Sequence, residues 1–118
     1  MNVLEIATNQ FRNRLAGELQ FVEVDEWKDE KGNPIKIYFK SSMNFKQLQK
    51  VMKATQEGNQ GEAILQTLIL RALDEDGKPL FRQADMPDLL RQVDPEVVNK
   101  IVIAINSNED NLEELKKT

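Results

Sequence analysis

Apolar residues near the start of the chain recur at the spacing of an α-helix. Leu4, Phe11 and Leu15 fall on one face of a helix that we predict over residues 3–16. Gly17 follows at a position where helices commonly end. The apolar stripe either docks on the rest of the domain or is buried by another subunit, and the sequence pattern leaves both readings open.

Residues 35–40 form the clearest strand pattern in the chain. Every second residue is apolar, so one face of the strand is apolar and the opposite face carries Lys36, Tyr38 and Lys40. A less regular strand is predicted over residues 19–24. A Gly-Asn-Pro turn sequence lies between the two segments. Together they predict an antiparallel β-hairpin with one buried face.

The first strand contains two adjacent apolar residues, and a single tryptophan lies in the charged segment after it. Phe21 and Val22 are adjacent, which indicates a bulge or burial on both faces of the strand. Trp27 follows Asp25 and Glu26 in a charged stretch. A single tryptophan beside a hairpin is more often a lid on the core than a contact hot spot, so we favour the core role.

The rest of the chain is typical of helices. An Asn and a Gln at capping-box spacing begin a helix predicted over residues 44 to about 55. Residues 63–73 are apolar on more than one face, so this helix is expected at the centre of the core. Asp85 is a candidate cap for a short helix. Asp94, followed by proline, is a strong start signal for a longer helix rich in β-branched residues.

These elements predict an α+β fold that is mostly α: an N-terminal helix and a β-hairpin, followed by three to four packed helices. The length of 118 residues fits one domain, residues 1–118. Residues 108–118 are polar apart from Leu112 and Leu115, and we expect a short helix or a frayed tail there.

The composition excludes several classes of function. The chain has no Cys and no His, which rules out disulfides, thiol nucleophiles, His-based triads and imidazole metal sites. Sixteen basic and 20 acidic residues give a net charge of −4, which argues against general binding to DNA. Without a long apolar run or a secretion-signal pattern, we expect a soluble cytoplasmic protein that spans no membrane.

Candidate catalytic and metal-binding patterns are weak. Residues 74–77, Asp-Glu-Asp-Gly, resemble part of a calcium loop, but the acidic residues do not stand at the spacing that such a loop requires. Carboxylate pairs such as Asp25 and Glu26 lie in polar runs that are usually solvated. The chain lacks a nucleophile elbow and a phosphate loop. We therefore expect no enzymatic activity, no cofactor and no metal site.

One strand face and one helix face carry a candidate basic patch with a single aromatic residue. Its members are Lys36, Tyr38, Lys40, Lys46, Lys50 and Lys53. Such a surface fits either a nucleic acid or an acidic protein partner. We favour an ordinary solvated face, because one Tyr offers little base stacking and acidic residues are abundant elsewhere in the chain.

The order of several motifs resembles a known protein family. Residues 25–27 (Asp-Glu-Trp) precede the strand at 35–40, and a long apolar helix runs into residues 73–81 (Leu-Asp-Glu-Asp-Gly-Lys-Pro-Leu-Phe). An Asp-capped Leu-Leu helix, a Val/Ile-rich helix and residues 111–115 (Asn-Leu-Glu-Glu-Leu) complete the order. Over residues 19–117, the chain resembles the tail assembly chaperones of long-tailed bacteriophages, small proteins encoded just before the tape measure protein.

The resemblance implies a non-enzymatic assembly factor that works in the host cytoplasm. Members of this family coat the tape measure protein before tail tube protein polymerises around it, and they are absent from the finished virion. It also implies self-association into a homo-oligomer and a longer form made by programmed ribosomal frameshift. Lys116 and Lys117 stand where the family would place the slippery codons, although two lysines are also an ordinary solubilising tail.

With this function in mind, we assign subunit or client contacts to five apolar residues outside the predicted central helix. They are Leu4, Phe11, Leu15, Leu112 and Leu115. Surplus apolar faces of this kind suit the binding of a partner helix in a groove. The alternative function is a small nucleic-acid-binding or regulatory module that uses the Tyr/Lys patch.

Overall fold

A computed structural model of the chain describes residues 2–17 and 19–117, with side chains up to residue 107. The elements, in chain order, are helix α1 (Val3–Leu15), strands β1 (Gln20–Lys28) and β2 (Pro34–Phe39), helices α2 (Phe45–Gln56) and α3 (Gln60–Arg71), a short 3₁₀ turn (Gln83–Asp85), and helices α4 (Met86–Gln92) and α5 (Pro95–Lys117). This order confirms the predicted α+β, mostly α fold, with an N-terminal helix followed by a hairpin.

The two strands pair antiparallel, with Gln20 opposite Phe39 and Val24 opposite Ile35. The predicted irregularity at the adjacent apolar pair of β1 is wrong in position, because these residues pair regularly with β2 and the register shift lies between Val24 and Lys28. The strand also continues four residues beyond its predicted end, because pairing resumes after the shift. Trp27 therefore lies in the strand and not in a loop.

One face of the hairpin packs against α5, and α3 packs against both α4 and α5, so that the hairpin and these three helices enclose the core. The buried cluster consists of Val24, Ile37, Phe39, Leu65, Leu68, Ile69, Ala72, Leu89, Val97, Val98, Ile101, Val102 and Ile105. Trp27 is half-buried against this cluster, in agreement with its predicted role as a lid. The β-branched face of α5 is buried, which supplies the tertiary packing that such a helix needs.

Two of the predicted helix starts are confirmed by their capping hydrogen bonds. The backbone N–H of Gln47 donates to Oδ1 of Asn44 at 2.8 Å, and the backbone N–H of Asn44 donates to Oε1 of Gln47 at 3.1 Å. At α5, the backbone N–H of Glu96 donates to Oδ1 of Asp94 at 2.9 Å. Each bond satisfies a backbone donor that the first turn of a helix leaves without a partner.

Two other boundaries differ from the sequence-based expectation. Helix α3 begins at Gln60, three residues before the predicted start at residue 63, so Gly61 lies inside the helix. Asp85 precedes α4 as expected, but its Oδ2 accepts a hydrogen bond from the backbone N–H of Arg82 at 2.8 Å. The carboxylate therefore caps the 3₁₀ turn before α4 and not α4 itself.

Helices α1 and α2 contribute little to the core. None of the residues of α1 is buried, and Ala54 is the buried residue of α2. Among the described helices, none combines the length and the apolar character needed to cross a bilayer. The predicted tail at residues 108–118 belongs to α5 as far as Lys117, but its side chains lie outside the described residues.

Candidate partner-binding groove

An open apolar groove of about 1010 Å³ lies between α1 and the start of α2. Its walls come from the apolar stripe of α1, the segment that joins β2 to α2, and the first turn of α2. The apolar lining residues are Leu4, Ala7, Phe11, Leu15, Ala16, Met43, Phe45 and Leu48. Three of the five predicted contact residues, Leu4, Phe11 and Leu15, thus meet in one site.

The apolar side chains of the groove remain accessible to solvent. Leu4 is 71% exposed and Phe45 is 81% exposed, while Phe11, Leu15 and Leu48 are half-buried. A single exposed apolar residue is normal on a protein surface, but a contiguous apolar patch built from two helices indicates a binding surface.

Helix α1 is hydrogen-bonded to the rest of the protein near its C-terminal end. Oγ of Ser41 donates a hydrogen bond to the carbonyl oxygen of Arg14 at 3.3 Å, and Nη2 of Arg14 donates to the carbonyl oxygen of Ser41 at 3.4 Å. Within residues 2–17 and 19–107, these are the hydrogen bonds that join α1 to the rest of the protein. At its other end the helix begins with its own cap, in which Oδ1 of Asn2 accepts the backbone N–H of Glu5, and no hydrogen bond between described residues joins this end to the rest of the protein.

The opposite wall is fixed to the core at the end of β2. Arg71, at the end of α3 and 4% exposed, donates a hydrogen bond from Nη2 to the carbonyl oxygen of Lys40 at 2.7 Å. The backbones of Tyr38 and Leu73 exchange two further hydrogen bonds of 2.9 and 2.8 Å. These contacts hold the segment after β2, which carries Met43 into the groove, against α3.

The charges of the groove are of one sign. Among the described residues that line it, the charged ones are Arg12 on α1 and Lys40 at the end of β2. Nη1 of Arg12 donates a hydrogen bond to Oδ1 of Asn9 at 3.3 Å. Neither cation forms an ion pair within the described part of the chain, so both positive charges remain available to a partner.

The predicted basic patch is divided between three places. Lys36 and Tyr38 lie on the outer face of the hairpin, Lys40 lines the groove, and the α2 members, Lys46, Lys50 and Lys53, are exposed on that helix. No hydrogen bond, ion pair or ring contact joins the hairpin residues to the α2 lysines in the described structure.

The outer face of the hairpin carries a second aromatic residue that sequence reasoning missed. The rings of Phe21 and Tyr38 lie 5.5 Å apart between centroids, and Nζ of Lys36 lies 5.0 Å from the centroid of Phe21. In the sequence alone, Phe21 stands out only because it interrupts the alternation of apolar and polar residues. Pairing the two strands in register would have placed it opposite Tyr38.

The candidate calcium loop is a turn with its own backbone partners. Oδ1 of Asp74 accepts hydrogen bonds from the backbone N–H groups of Asp76 and Lys78, both at 2.9 Å. Gly77 adopts a φ of +82°, a conformation that favours glycine. In the portion of the chain that the structure describes, no group of three or more acidic side chains is placed to hold a metal ion.

A surface ion pair joins the hairpin to α5. Nζ of Lys100 lies 3.1 Å from Oε1 of Glu26. The hydrogen bond from Lys100 lowers the pKa of the Glu26 carboxyl below its usual value. The lowered pKa means that the ion pair stabilises the charged form of the carboxyl. It also makes the carboxylate a weaker base than an ordinary Glu.

Two predicted contact residues, Leu112 and Leu115, fall within α5, but their side chains lie outside the described residues. The groove is therefore the site on which a functional argument rests. No model of a known protein family matches the chain, and no curated protein or solved structure matches it either.

Proposed function

We propose that this protein is a non-enzymatic tail assembly chaperone of a long-tailed bacteriophage, acting in the host cytoplasm. In this proposal, the groove between α1 and α2 binds helical segments of the tape measure protein before tail tube protein assembles around it. The observation that carries the proposal is the apolar groove itself, since a soluble domain that leaves such a surface open has a partner to cover it.

The form of the groove suits a helix better than a small molecule. Pockets for small molecules enclose roughly 300–1,000 Å³ and bury most of the ligand surface. This groove is open to solvent and has apolar residues on two walls, Leu4 and Phe11 on one and Phe45 and Leu48 on the other. An amphipathic helix lays residues at positions i, i+3 or i+4, and i+7 into a groove of this kind.

A chaperone for a long rod needs many weak contacts rather than one strong one. Copies bound side by side along a helical client gain affinity through multivalency, without a deep pocket in any one copy. Self-association of the copies and recruitment of tail tube protein complete the proposed role. In this role the protein leaves the particle before assembly ends, so it is absent from the finished virion.

The test is co-expression of this protein with the tape measure protein encoded beside it. We expect the client to be soluble with the wild type and insoluble with Phe11→Asp, because a carboxylate in the apolar groove is costly to bury. Phe21→Asp is the matched control, since Phe21 is 50% exposed on the outer face of the hairpin and does not line the groove. A client that stays soluble with Phe11→Asp would contradict the groove as its binding site.

A small nucleic-acid-binding module is the second candidate, because the structure adds Phe21 to the aromatic and basic residues of the hairpin. The exposed ring of Phe21 and the half-buried ring of Tyr38, beside Lys36, form a small stacking platform. This candidate expects binding of single-stranded nucleic acid that falls steeply with salt and with Lys36→Glu. The chaperone proposal expects no binding of single-stranded nucleic acid through Lys36, so a titration of the wild type and Lys36→Glu with single-stranded nucleic acid separates the two functions.

A further inference from the structure

We infer that the groove selects an acidic partner helix, an amphipathic α-helix whose apolar face is flanked by Asp or Glu residues. The inference rests on the proposed function and names the chemistry of the client segment that the groove accepts. The evidence for it is the charge of the residues that line the groove. The apolar lining alone would not determine the charge of the bound helix.

The sign of the lining charges is opposite to that of the whole protein. The chain has a net charge of −4, yet Arg12 and Lys40, the charged residues among the described lining, are both positive. They stand on different walls, Arg12 on α1 and Lys40 at the end of β2. A helix lying between the walls therefore meets a cation on each side of its apolar face.

Both cations are free to pair with a partner. Neither one forms an ion pair with another residue of the described structure. Arg and Lys side chains extend their aliphatic stems along apolar surface and present the charge at the rim. Carboxylates that flank a bound apolar stripe would accept charge-assisted hydrogen bonds there, whereas lysines at the same positions would meet like charge.

A backbone contact holds the base of one of these two side chains in place. The carbonyl oxygen of Lys40 accepts the 2.7 Å hydrogen bond from the buried Arg71, which fixes the Lys40 backbone at the groove wall. A lysine on an ordered backbone pairs with a carboxylate at less cost in entropy than a lysine on a mobile segment. The part of the selection that comes from Lys40 is thus built into the end of β2, and Arg12 on α1 supplies the other part.

The test uses two labelled synthetic helices of about 18 residues with the same Leu-rich face, about five turns long. One carries Glu at the flanking positions and the other carries Lys. In fluorescence anisotropy with the full-length protein, we expect the Glu peptide to bind and the Lys peptide to bind at least about fivefold more weakly, a preference that shrinks as salt rises.

Charge reversal locates the effect on the protein. Arg12→Glu and Lys40→Glu should each weaken the Glu peptide by about fivefold and strengthen the Lys peptide. Arg91→Glu is the control, because Arg91 is exposed on α4, does not line the groove and changes the net charge equally. If a charge reversal lowers the melting temperature, Arg12→Met and Lys40→Met test the same preference, because they remove the positive charge without reversing it.

The outcomes separate this inference from the proposed function. Equal binding of the two peptides, lost in Phe11→Asp, would overturn the charge selection and leave the groove as the client site. No binding of either peptide to a chaperone that still solubilises its client would also overturn the selection. An oligomer that Phe11→Asp converts to monomer, and that binds neither peptide, would show that a second copy fills the groove and would overturn the inference.

Discussion

Arg71 and Lys40 join the core of the protein to its candidate binding site through one hydrogen bond. The guanidinium of Arg71 is buried at the end of α3 and donates from Nη2 to the carbonyl oxygen of Lys40 at 2.7 Å. Lys40 follows the last residue of β2 and lines the groove. The stability of the core and the geometry of the groove are therefore coupled at this point.

Arg71→Met should lower the free energy of unfolding by about 2 kcal/mol, because a charge-assisted hydrogen bond is lost and a carbonyl oxygen loses its donor. Urea denaturation of the variant and the wild type measures the change. Arg91→Met on the exposed face of α4 is the control and should stay within about 0.5 kcal/mol of the wild type. Equal losses in the two variants would contradict the anchoring role of Arg71.

Two asparagines at the starts of α2 and α3 offer a matched test of capping. Oδ1 of Asn44 accepts the backbone N–H of Gln47, whereas the side chain of Asn59 makes no capping hydrogen bond. We expect Asn44→Ala to reduce the free energy of unfolding by about 1 kcal/mol. Asn59→Ala should have a smaller effect, and the reverse order in thermal or urea unfolding would show that the capping box contributes nothing.

Two isoleucines on α5 report how far the core extends around that helix. Ile101 is 1% exposed in the core cluster, and Ile103 is 56% exposed on the opposite side. Ile101→Ala should cost about 2–5 kcal/mol, since it removes buried methyl groups and leaves a cavity. Ile103→Ala should remain within about 0.5 kcal/mol of the wild type. A comparable loss at the two positions would place the core on the wrong face of α5.

The ion pair between Glu26 and Lys100 makes a prediction about pH. The hydrogen bond from Lys100 lowers the pKa of Glu26 in the folded state, so the pair stabilises the fold above the ordinary carboxyl pKa. That contribution is lost as the pH falls through the lowered pKa of the folded state. In NMR titration, Lys100→Met should raise the pKa of Glu26 toward 4.5, and Lys53→Met should leave it unchanged.

In unfolding experiments, the stability difference between the wild type and Lys100→Met should be present at neutral pH and vanish in acid. A Glu26 titration that is the same in the presence and absence of Lys100 would show that the pair does not persist in solution.

Much of the fold follows from local signals in the sequence. The alternation of residues 35–40 and the capping residues Asn44 and Asp94 set element starts that the structure confirms. The end of β1 could not be predicted, because the strand resumes pairing beyond a register shift, at Lys28. Such pairing depends on the partner strand and leaves no pattern in β1 itself.

The candidate site was predictable only in part. The periodicity of α1 groups Leu4 and Phe11, but the second wall appears in the sequence only as the apolar stripe of α2. Whether Phe45 is buried depends on how the helices pack, and the structure leaves it exposed. Alternation places Lys40 on the same face as Tyr38, yet the strand ends at Phe39 and Lys40 lines the groove.

The most direct test of the groove is site-specific photocrosslinking to the client. We would replace Phe45, which is 81% exposed in the groove, with the photoreactive residue p-benzoylphenylalanine, and make the same replacement at Phe21 on the outer face of the hairpin. After co-expression with the tape measure protein and irradiation, we expect a crosslinked chaperone–client band from position 45 and none from position 21. A crosslinked band from position 21 alone would contradict the groove as the proposed binding site.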